Sequence, residues 1–415
     1  MAASSLFRAY RRELLERIEV DAIESDDQGF AWESFGALAA LGEHGAELEV
    51  EAPGADLGSI GALLRSRRAR SMIGQGAPGG ARPSRKVARD EPMHAGPVVC
   101  RVCGGSYHVE VYPACESDSS GRPDVSPYSC ASHSGHSHGT ILRCLSCGIV
   151  FMKPKLSVEQ LVREYSEVID PVYLDNFPAR LVTFKKTLAR IEPYIGRGSR
   201  ILEVGSYCGA FLSVARGAGL DIVGLEPSAW AVEQSKRVSD ARVVQGTLDD
   251  LPAELGPFDA VAAWDVVEHF ADPLAELCKI NRVLVSGGRF VFCTLMIDNW
   301  FPRLVGQHWP WFMDMHLFYF TRPTIEELLS RAGFNLVESW SYLHITTPEY
   351  LLRKLGAMGL PGAALASRLV SKTPWARAHI PVRLGDIQLF VATKEREIGS
   401  VREAAAVDSV TSQPA

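Results

Sequence analysis

Short apolar runs alternate with helix-like segments from residue 199 onward, and this alternation limits the fold more than any other feature of the sequence. The strand-like runs are RILEV, DIVGLE, RVVQG, FDAVAAW and RFVFCTL, and segments such as AFLSVARGAGL and SAWAVEQSKRV lie among them. Repeated strand–helix units predict a mostly parallel sheet with helices on both faces. Ligands of such sheets bind outside the carboxyl ends of the strands, so we expect the functional site there.

Length and composition set limits on the function. The chain has 415 residues, of which 47% are hydrophobic and 22% are charged, and this length suggests two or three globular domains. A net charge of −6 offers no overall basic field, so we expect no nucleic-acid partner. No apolar run approaches the ~20 residues that cross a bilayer, and the N-terminal pattern is amphipathic rather than that of a signal peptide. We therefore expect a soluble, cytoplasmic protein without a transmembrane segment.

Changes in composition predict five segments. They are a helical N-terminal region (1–70), a flexible linker rich in Gly, Pro and Arg (71–97), a cysteine-containing domain (98–152), the strand–helix domain (153–395) and a disordered tail (396–415). An apolar helical insert lies at about 348–380 within the fourth segment. Such an insert either caps the pocket or docks a lipid-linked acceptor, a membrane surface or a second subunit.

The loop EVGSYCG follows the first of the strands. A tight turn from strand to helix needs a glycine, here Gly205, and close helix packing favours a second, here Gly209. Dinucleotide-binding loops carry a further glycine between these two, where a pyrophosphate approaches the backbone. Tyr207 stands at that position and would obstruct a pyrophosphate. A cofactor without phosphate, such as S-adenosylmethionine, makes no such demand.

Two acidic residues complete the predicted cofactor site. Glu226 ends the next strand, where a carboxylate can accept hydrogen bonds from both ribose hydroxyls. Glu203 precedes the loop, where a carboxylate can orient backbone amides or help to hold the amino group of the cofactor. Together with the loop, these residues favour a sulfonium cofactor over a dinucleotide.

Five segments in order resemble the successive motifs of class I S-adenosylmethionine-dependent methyltransferases: ILEVGSYCGAFL, VGLEPS, GTLDDLP, FDAVAAWDVVEHFADP and LVSGGRFVF. The resemblance covers about residues 199–295, and later features extend it to about 395. It implies a Rossmann-like, seven-stranded sheet and a methyltransferase domain over 153–395. The cofactor-binding residues that it implies are Glu203, Gly205, Ser206, Tyr207, Gly209, Glu226, Pro227, Thr247, Leu248 and Asp265. The family often has Asp in place of Thr247 at the adenine, and Asp265 would lie near the methyl donor.

Cysteine spacing indicates a metal site. CRVC and CLSC each hold two cysteines separated by two residues, and a glycine follows each pair. Two such pairs complete a tetrahedral shell for a structural zinc ion, which leaves no open position for water. The predicted ligands are Cys100, Cys103, Cys144 and Cys147. The alternatives are a redox pair or small core residues.

The cysteine segment also resembles the N-terminal zinc-binding domain of methyltransferases that include sugar-modifying enzymes of antibiotic and surface-polysaccharide pathways. Those domains carry C-x2-C-G, a variable insert and a second C-x2-C-G-x-V-F-like segment, which CGIVFMKP matches. The insert holds Cys115, Cys130, His133, His136 and His138. These residues form a second metal site or a flexible polar loop, and the sequence leaves both interpretations open.

Two histidines are candidate catalytic residues. Methyl transfer is an in-line displacement that requires positioning and, for an acidic acceptor group, removal of a proton. His269, in VVEHF, follows the fourth strand near the expected donor, and His316 lies in WPWFMDMHLFYF. Each of them acts as the base or only shapes the site. The aromatic segment around His316 forms a substrate lid or packs in the core.

The predicted function is S-adenosylmethionine-dependent methyl transfer to a small-molecule acceptor, with a structural zinc ribbon beside the catalytic domain. We expect a sugar or specialised metabolite, which a carrier or a lipid could bear. One alternative is an NAD-dependent oxidoreductase of similar fold, against which Tyr207 counts. Another is a zinc-ribbon interaction module with a non-catalytic cofactor domain. The acceptor, the methylated atom, the role of residues 1–97 and the oligomeric state stay open, and an oligomer is compatible with the sequence.

Overall fold

The computed structural model describes residues 98–115, 128, 137–153, 155–357 and 361–398. The predicted helical region (1–70), the predicted linker (71–97) and almost all of the predicted tail (396–415) lie outside this part of the chain. Within it, no helix has the length and apolar character that a membrane span requires.

The described elements alternate as the sequence predicts. The strands are β1 (His108–Tyr112), β2 (Ile141–Cys144), β3 (Val150–Met152), β4 (Arg200–Val204), β5 (Asp221–Glu226), β6 (Arg242–Gln245), β7 (Phe258–Trp264), β8 (Leu284–Leu295), β9 (Phe318–Tyr319), β10 (Phe334–Ser341), β11 (His344–Thr346), β12 (Ile380–Val382) and β13 (Ile387–Lys394). The α-helices are α1 (Val158–Ser166), α2 (Pro171–Asp175), α3 (Phe177–Ile195), α4 (Ala210–Gly217), α5 (Ala229–Val238), α6 (Pro273–Val283), α7 (Trp300–Val305), α8 (Arg322–Arg331), α9 (Pro348–Ala357) and α10 (Ala363–Val370).

Seven strands form the main sheet, in the order β10-β13-β8-β7-β4-β5-β6. The pairs from β8 to β6 are parallel, and β13 and β10 add an antiparallel edge. Strands β4, β5 and β7 read as continuous apolar runs because nearly every residue in them is buried. The predicted Rossmann-like α/β fold with seven strands is confirmed.

The strand order places a ligand site at the end of β4. The chain adds β5 and β6 on one side of β4, and β7 and β8 on the other. Such a switch point leaves a crevice outside the carboxyl ends of the strands. Parallel register sets Glu203 of β4 between Gly224 of β5 and Ala262 of β7. The loops that leave β4, β5 and β7 therefore begin side by side.

A second sheet joins the cysteine segment to the large domain. Its order is β1-β2-β3-β9, and β9 comes from the segment after β8. Val150 pairs with Tyr319 and Phe151 with Phe318, both in antiparallel register. The Met152 amide also donates to the carbonyl of Leu317 at 2.9 Å. Residues 98–152, predicted as a separate domain, thus share a sheet with residues 318–319.

The aromatic segment after β8 is mostly core. Trp309, Phe312 and Tyr319 are each at most 1% exposed. Trp309 and Trp311 both donate their indole N–H to Asp386 Oδ2, at 3.0 and 2.8 Å. Buried indole nitrogens need such acceptors. These rings therefore pack against the end of the sheet, which is the core-packing interpretation of the segment.

The predicted helical insert consists of α9 and α10, with β11 and β12 paired antiparallel beside them. Strand β11 lies against α3, because the Ile345 amide donates to Thr183 Oγ1 at 2.8 Å. Large apolar side chains of the insert stay exposed, with Leu365 at 62%, Leu369 at 60% and Trp375 at 74%.

Candidate cofactor site and four-cysteine centre

The loop after β4 requires glycine at two positions. Gly205 has φ +68°, and a Cβ there would lie 2.6 Å from Val266 Cγ2. Gly209 has φ +78°, and a Cβ there would lie 2.4 Å from Ser235 Oγ and 3.1 Å from the Ser235 Cα. Both left-handed geometry and the lack of space exclude other residues. These are the two glycines that the sequence singles out.

Tyr207 adopts φ +45° between these glycines. A bulky residue with positive φ is strained, and such strain clusters at functional sites. Its hydroxyl donates to Asp170 Oδ2 at 3.1 Å, and its ring meets the ring of Tyr173 edge to face at 4.7 Å. The segment that leads into α2 therefore holds the ring of Tyr207.

Glu226 ties the loop to the end of β5. One carboxylate oxygen accepts the Tyr207 amide at 2.8 Å, and the other accepts the Ser228 amide at 2.9 Å. Burial raises the pKa of this carboxyl to about 7, against the lowering effect of the two amides. Each oxygen keeps a second lone pair, so the carboxylate can still accept from ligand hydroxyls. Pro227 lies half-buried between Glu226 and Ser228.

Glu203 and Ser206 are both deeply buried, with only 2% and 3% of their surfaces exposed. Burial and the nearby charge of Glu226 raise the pKa of Glu203 well above its usual range. Glu203 Oε2 and Ser206 Oγ have no hydrogen-bond partner within the described residues. Buried polar atoms without partners call for an explanation, and a ligand or water is one.

Thr247 and Leu248 follow β6, and Asp265 follows β7, with β5 and β4 lying between these two strands in the sheet. Thr247 gives its amide and its hydroxyl proton to Asp250 Oδ2, at 2.8 and 3.0 Å, so its hydroxyl is engaged in a cap. Leu248 is buried. Asp265 has φ +54°, and its Oδ1 accepts from the Cys293 thiol at 3.3 Å. Burial raises the pKa of Asp265, and the charge of Arg180 opposes that rise.

His269 and His316 lie together, with ring centroids 4.8 Å apart. His269 Nδ1 contacts the carbonyl of Met315 at 2.8 Å, and His316 Nδ1 contacts the carbonyl of Trp311 at 2.8 Å. A carbonyl can only accept, so the proton belongs on Nδ1 and the lone pair on Nε2. Burial lowers the pKa of His269 to about 4. His269 is therefore neutral at pH 7 and can act as a base through Nε2.

Three further residues lie at the site, and no pattern in the sequence indicates them. The Tyr165 hydroxyl lies 2.7 Å from His269 Nδ1 and 3.0 Å from the carbonyl of Met315. Glu268 is fully buried, accepts from the Thr294 hydroxyl at 2.8 Å, and could join the two histidines around an ion, since ligand atoms of the three lie within 4.8 Å. Burial raises the pKa of Glu268 to about 8.

The third missed residue is Arg180 of α3. Its guanidinium carbon lies 5.4 Å from the centre of the Tyr173 ring, and the same ring contacts Tyr207. It makes no hydrogen bond or ion pair with any side chain that the structure describes. Burial alone lowers the pKa of Arg180, but Tyr173, Asp265 and two further tyrosines outweigh it and raise the pKa. No sequence signal singles out Arg180, because its helix also contains Lys185, Lys186 and Arg190.

The four predicted zinc ligands come together. All four sulfur atoms lie within 4.8 Å of one another, with Cys100 and Cys147 at 3.7 Å and Cys103 and Cys144 at 3.5 Å. Sulfur atoms that share a tetrahedral zinc ion at 2.3 Å are about 3.8 Å apart. The residues present therefore fit a zinc ion.

Two equivalent turns present these thiols. The Gly104 amide donates to the carbonyl of Cys100 at 2.8 Å, and the Gly148 amide donates to the carbonyl of Cys144 at 2.9 Å. Both glycines have positive φ, +75° and +77°. The glycine after each C-x2-C pair is thus explained by the turn.

The insert between the cysteine pairs is described only in part. Cys115 and His138 form an isolated antiparallel bridge, and His138 Nδ1 contacts the carbonyl of Gly139 at 2.8 Å. Cys130, His133 and His136 lie outside the described residues. Neither Cys115 nor His138 belongs to a metal-ligand cluster of the described chain.

Residues 179–339 match the family model described as "Methyltransferase domain". A tRNA U34 carboxymethyltransferase of Pseudomonas putida (strain GB-1) is 30% identical over 157 residues, which are 35% of this chain and 49% of the relative. A tRNA U34 carboxymethyltransferase of Dichelobacter nodosus is 35% identical over 131 residues, 28% of this chain and 41% of the relative. The chain spans about half the length of these relatives or less.

Solved structures that resemble the chain include two methyltransferases. One is the magnesium protoporphyrin IX methyltransferase of Synechocystis with bound SAH, with a TM-score of 0.36 and 12% identity over 57% of this chain and 94% of that chain. The other is an S-adenosylmethionine-dependent methyltransferase of Mesorhizobium loti, with a TM-score of 0.33 and 18% identity over 50% of this chain and 96% of that chain.

One expectation from the sequence is contradicted. We expected a small-molecule acceptor and no nucleic-acid partner, whereas the curated relatives are named for tRNA. The physical reason is that net charge averages over the chain, while nucleic-acid binding depends on local cationic surfaces.

The family match, the sheet order and the glycine loop after β4 agree with the resemblance seen in the sequence. Residues 179–339 are therefore a methyltransferase domain.

Proposed function

We propose that this protein transfers a methyl group from S-adenosylmethionine to an acceptor at the carboxyl ends of β4, β5 and β7. The loop after β4 carries the proposal. Gly205 and Gly209 give it a shape that no other residue permits, and the Tyr207 amide ties it to Glu226. The match of residues 179–339 to a methyltransferase domain supports the same function.

The residues present fit this cofactor. Glu226 would accept from the ribose hydroxyls through its remaining lone pairs. Glu203 Oε2, buried without a described partner, would accept from the amino group. Arg180 would pair with the carboxylate of the methionine part, because its guanidinium lies 5.4 Å from the ring of Tyr173, which contacts Tyr207 of the loop. Thr247 and Leu248 would contact the adenine, the former through its backbone.

The chemistry assigns a role to the histidine pair. When bound, the sulfonium cofactor supplies an electrophilic methyl group. The Met315 carbonyl and Tyr165 contact His269 at Nδ1, which leaves the Nε2 lone pair available as a base. His269 would accept the acceptor's proton through Nε2 during transfer of the methyl group. His316, set 4.8 Å away, orients the acceptor or shares the proton.

The proposed acceptor is a tRNA nucleotide. The support is the set of curated relatives, which are named for tRNA and match this chain at 30% and 35% identity over 157 and 131 residues. Because the chain spans about half their length or less, the acceptor needs a direct test.

The test incubates the purified full chain with methyl-labelled S-adenosylmethionine and bulk tRNA. We expect label in acid-precipitated tRNA, and a His269→Asn variant should lose about 100-fold or more of the rate. If the tRNA stays unlabelled while S-adenosylhomocysteine still binds, the proposed tRNA acceptor is wrong and the proposed cofactor site stands. Failure of both would remove the whole proposal.

The four-cysteine centre is proposed as a structural zinc site. A closed shell of four thiolates has no position for substrate. It would hold together the two turns that precede β1 and follow β2, and so the sheet that β9 completes. Purified protein should contain about one zinc ion per chain. A second ion would indicate a further site that involves the histidines of the insert.

A further inference from the structure

The surface formed by residues 361–383 differs from the rest of the chain in its charge. The chain as a whole has a net charge of −6, yet this stretch contains four Arg or Lys residues and neither Asp nor Glu. The nearest acids in sequence are Glu349, which is half-buried, and Asp386, which is buried and accepts from two indoles. Its charged surface is therefore cationic only.

Four cations of this stretch are exposed and are not neutralised by the described chain. They are Arg368, Lys372, Arg377 and Arg383. None of them forms an ion pair with a described residue. By contrast, Arg353 on the neighbouring helix α9 is paired with Asp175 at 2.8 Å. Unpaired cations on a surface of one sign create a potential that attracts an anionic partner.

Exposed rings and apolar side chains lie among these cations. Trp375, at 74% exposure, stands between Lys372 and Arg377 in a 3-10 turn, and Leu369 on α10 is 60% exposed. An aromatic face beside cations is the arrangement on which unpaired bases stack while the phosphates meet Lys and Arg. Within the described residues, the ring of Trp375 is not buried by packing and the four cations form no ion pairs.

This surface is connected to the candidate active site through α9. Both α10 and the 3-10 turn Pro374–Arg377 pack on α9. On α9, Tyr350 lies near enough to Arg180 of the candidate site to affect its pKa, and Lys354 lies near enough to Asp265 to do the same. A polymer held on residues 361–383 would thus lie beside the helix that flanks the site.

We propose that residues 361–383 form an RNA-docking surface, with Arg368, Lys372, Arg377 and Arg383 on the phosphate backbone and Trp375 stacked on an unpaired base. The inference rests on the proposed tRNA acceptor and adds the surface that would hold it. It is independent of the cofactor loop.

The test measures binding of a fluorescein-labelled RNA stem-loop to the full chain loaded with S-adenosylhomocysteine. The variant Arg368→Glu/Lys372→Glu should lose about tenfold or more in affinity for the RNA. The slope of log affinity against log salt concentration should become shallower by about two, the value expected for the loss of two phosphate contacts. The control is Lys185→Glu/Lys186→Glu, which makes the same charge change at two exposed lysines on α3. It should bind the RNA within about twofold of the unmodified chain.

A second variant separates stacking from charge. Trp375→Ala keeps every cation and should weaken binding of the stem-loop by about tenfold, with the salt slope unchanged. Equal affinity of the Arg368→Glu/Lys372→Glu variant and the control would overturn the inference. Binding of vesicles containing phosphatidylserine, without binding of RNA, would also overturn it and indicate a membrane surface.

The outcomes also distinguish this inference from the proposed function. Methyl transfer to tRNA that survives in Arg368→Glu/Lys372→Glu with unchanged RNA affinity would sink the docking surface and leave the function standing. RNA that binds at this surface without becoming methylated would keep the docking surface and contradict the proposed tRNA acceptor. Unchanged binding of S-adenosylhomocysteine in every variant shows that the fold is intact.

Discussion

At the scale of single residues, backbone geometry explains the cofactor loop better than side-chain chemistry does. Gly205 and Gly209 are required because a Cβ would collide with Val266 and Ser235, and because both have left-handed φ. Tyr207 keeps its strained conformation because its amide, hydroxyl and ring each have a partner. The sequence could predict both glycines from spacing alone, but not the partners of Tyr207, since they come from α2 and β5.

Replacement of Gly205 by Ala should abolish measurable binding of S-adenosylhomocysteine. The new Cβ would lie 2.6 Å from Val266 Cγ2 at a φ of +68°, so the loop must move. Gly217→Ala is the matched control, because a Cβ there meets nothing within 4 Å. Isothermal titration should show affinity retained in the control, and equal affinities in both variants would contradict the role of Gly205.

Cofactor affinity should rise with pH through the range in which Glu226 ionises. Burial raises the pKa of this carboxyl to about 7. In the unliganded fold the carboxyl is therefore protonated below that pH, and the stability that the fold gains from the protonated form is lost as the pH rises through it. Ribose hydroxyls donate best to the ionised form. Affinity for S-adenosylhomocysteine should therefore increase between about pH 5.5 and about pH 8, with proton release on binding. The Glu226→Gln variant should bind weakly and without this pH dependence.

At the scale of elements, strand ends and connecting segments bring distant residues together. His269 follows β7 and His316 precedes β9, yet their rings lie 4.8 Å apart because the Leu317 amide donates to the carbonyl of Glu268 at 2.8 Å. The sequence could name both histidines as candidates. The sequence could not predict that the two rings meet, or that Tyr165 of α1 contacts His269. Both contacts depend on how the segment after β8 returns to the sheet.

The histidine pair should behave as a neutral base. Because burial lowers the pKa of His269 to about 4, ionisation of His269 should not reduce kcat between about pH 8 and about pH 6. His269→Asn should lower kcat by about 100-fold or more with little change in affinity for S-adenosylhomocysteine. Tyr165→Phe removes only the hydroxyl at 2.7 Å from Nδ1 and should cost less. A fall in kcat with an apparent pKa near 6.5 that disappears in His269→Asn would contradict this account.

At the scale of the whole molecule, the fold was more predictable than the partner. The seven-stranded sheet followed from apolar runs that are buried on both faces, and the cysteine pairs followed from spacing. The absence of a nucleic-acid partner was a wrong prediction, because it relied on a net charge of −6 that averages over the whole chain. The shared sheet of β3 and β9 was also beyond the sequence, because β9 has only two residues.

Loss of metal should destabilise more than the cysteine segment. Strand β3 pairs with β9, and β9 follows directly on the segment that carries His316. Cys103→Ser, or treatment with a strong chelator, should lower the Tm by several degrees and reduce transfer activity. Cys115→Ser is the control, since Cys115 is exposed and lies outside the four-thiol cluster. An unchanged Tm after proven loss of zinc would contradict a structural role.

The central claim is that the loop after β4 binds a sulfonium cofactor rather than a dinucleotide. Titration calorimetry of S-adenosylhomocysteine into the purified full chain tests it most directly, with NAD as the comparison ligand. The account predicts about one binding site per chain for S-adenosylhomocysteine and no heat for NAD. Folded protein that binds NAD, or that binds neither ligand, would contradict it.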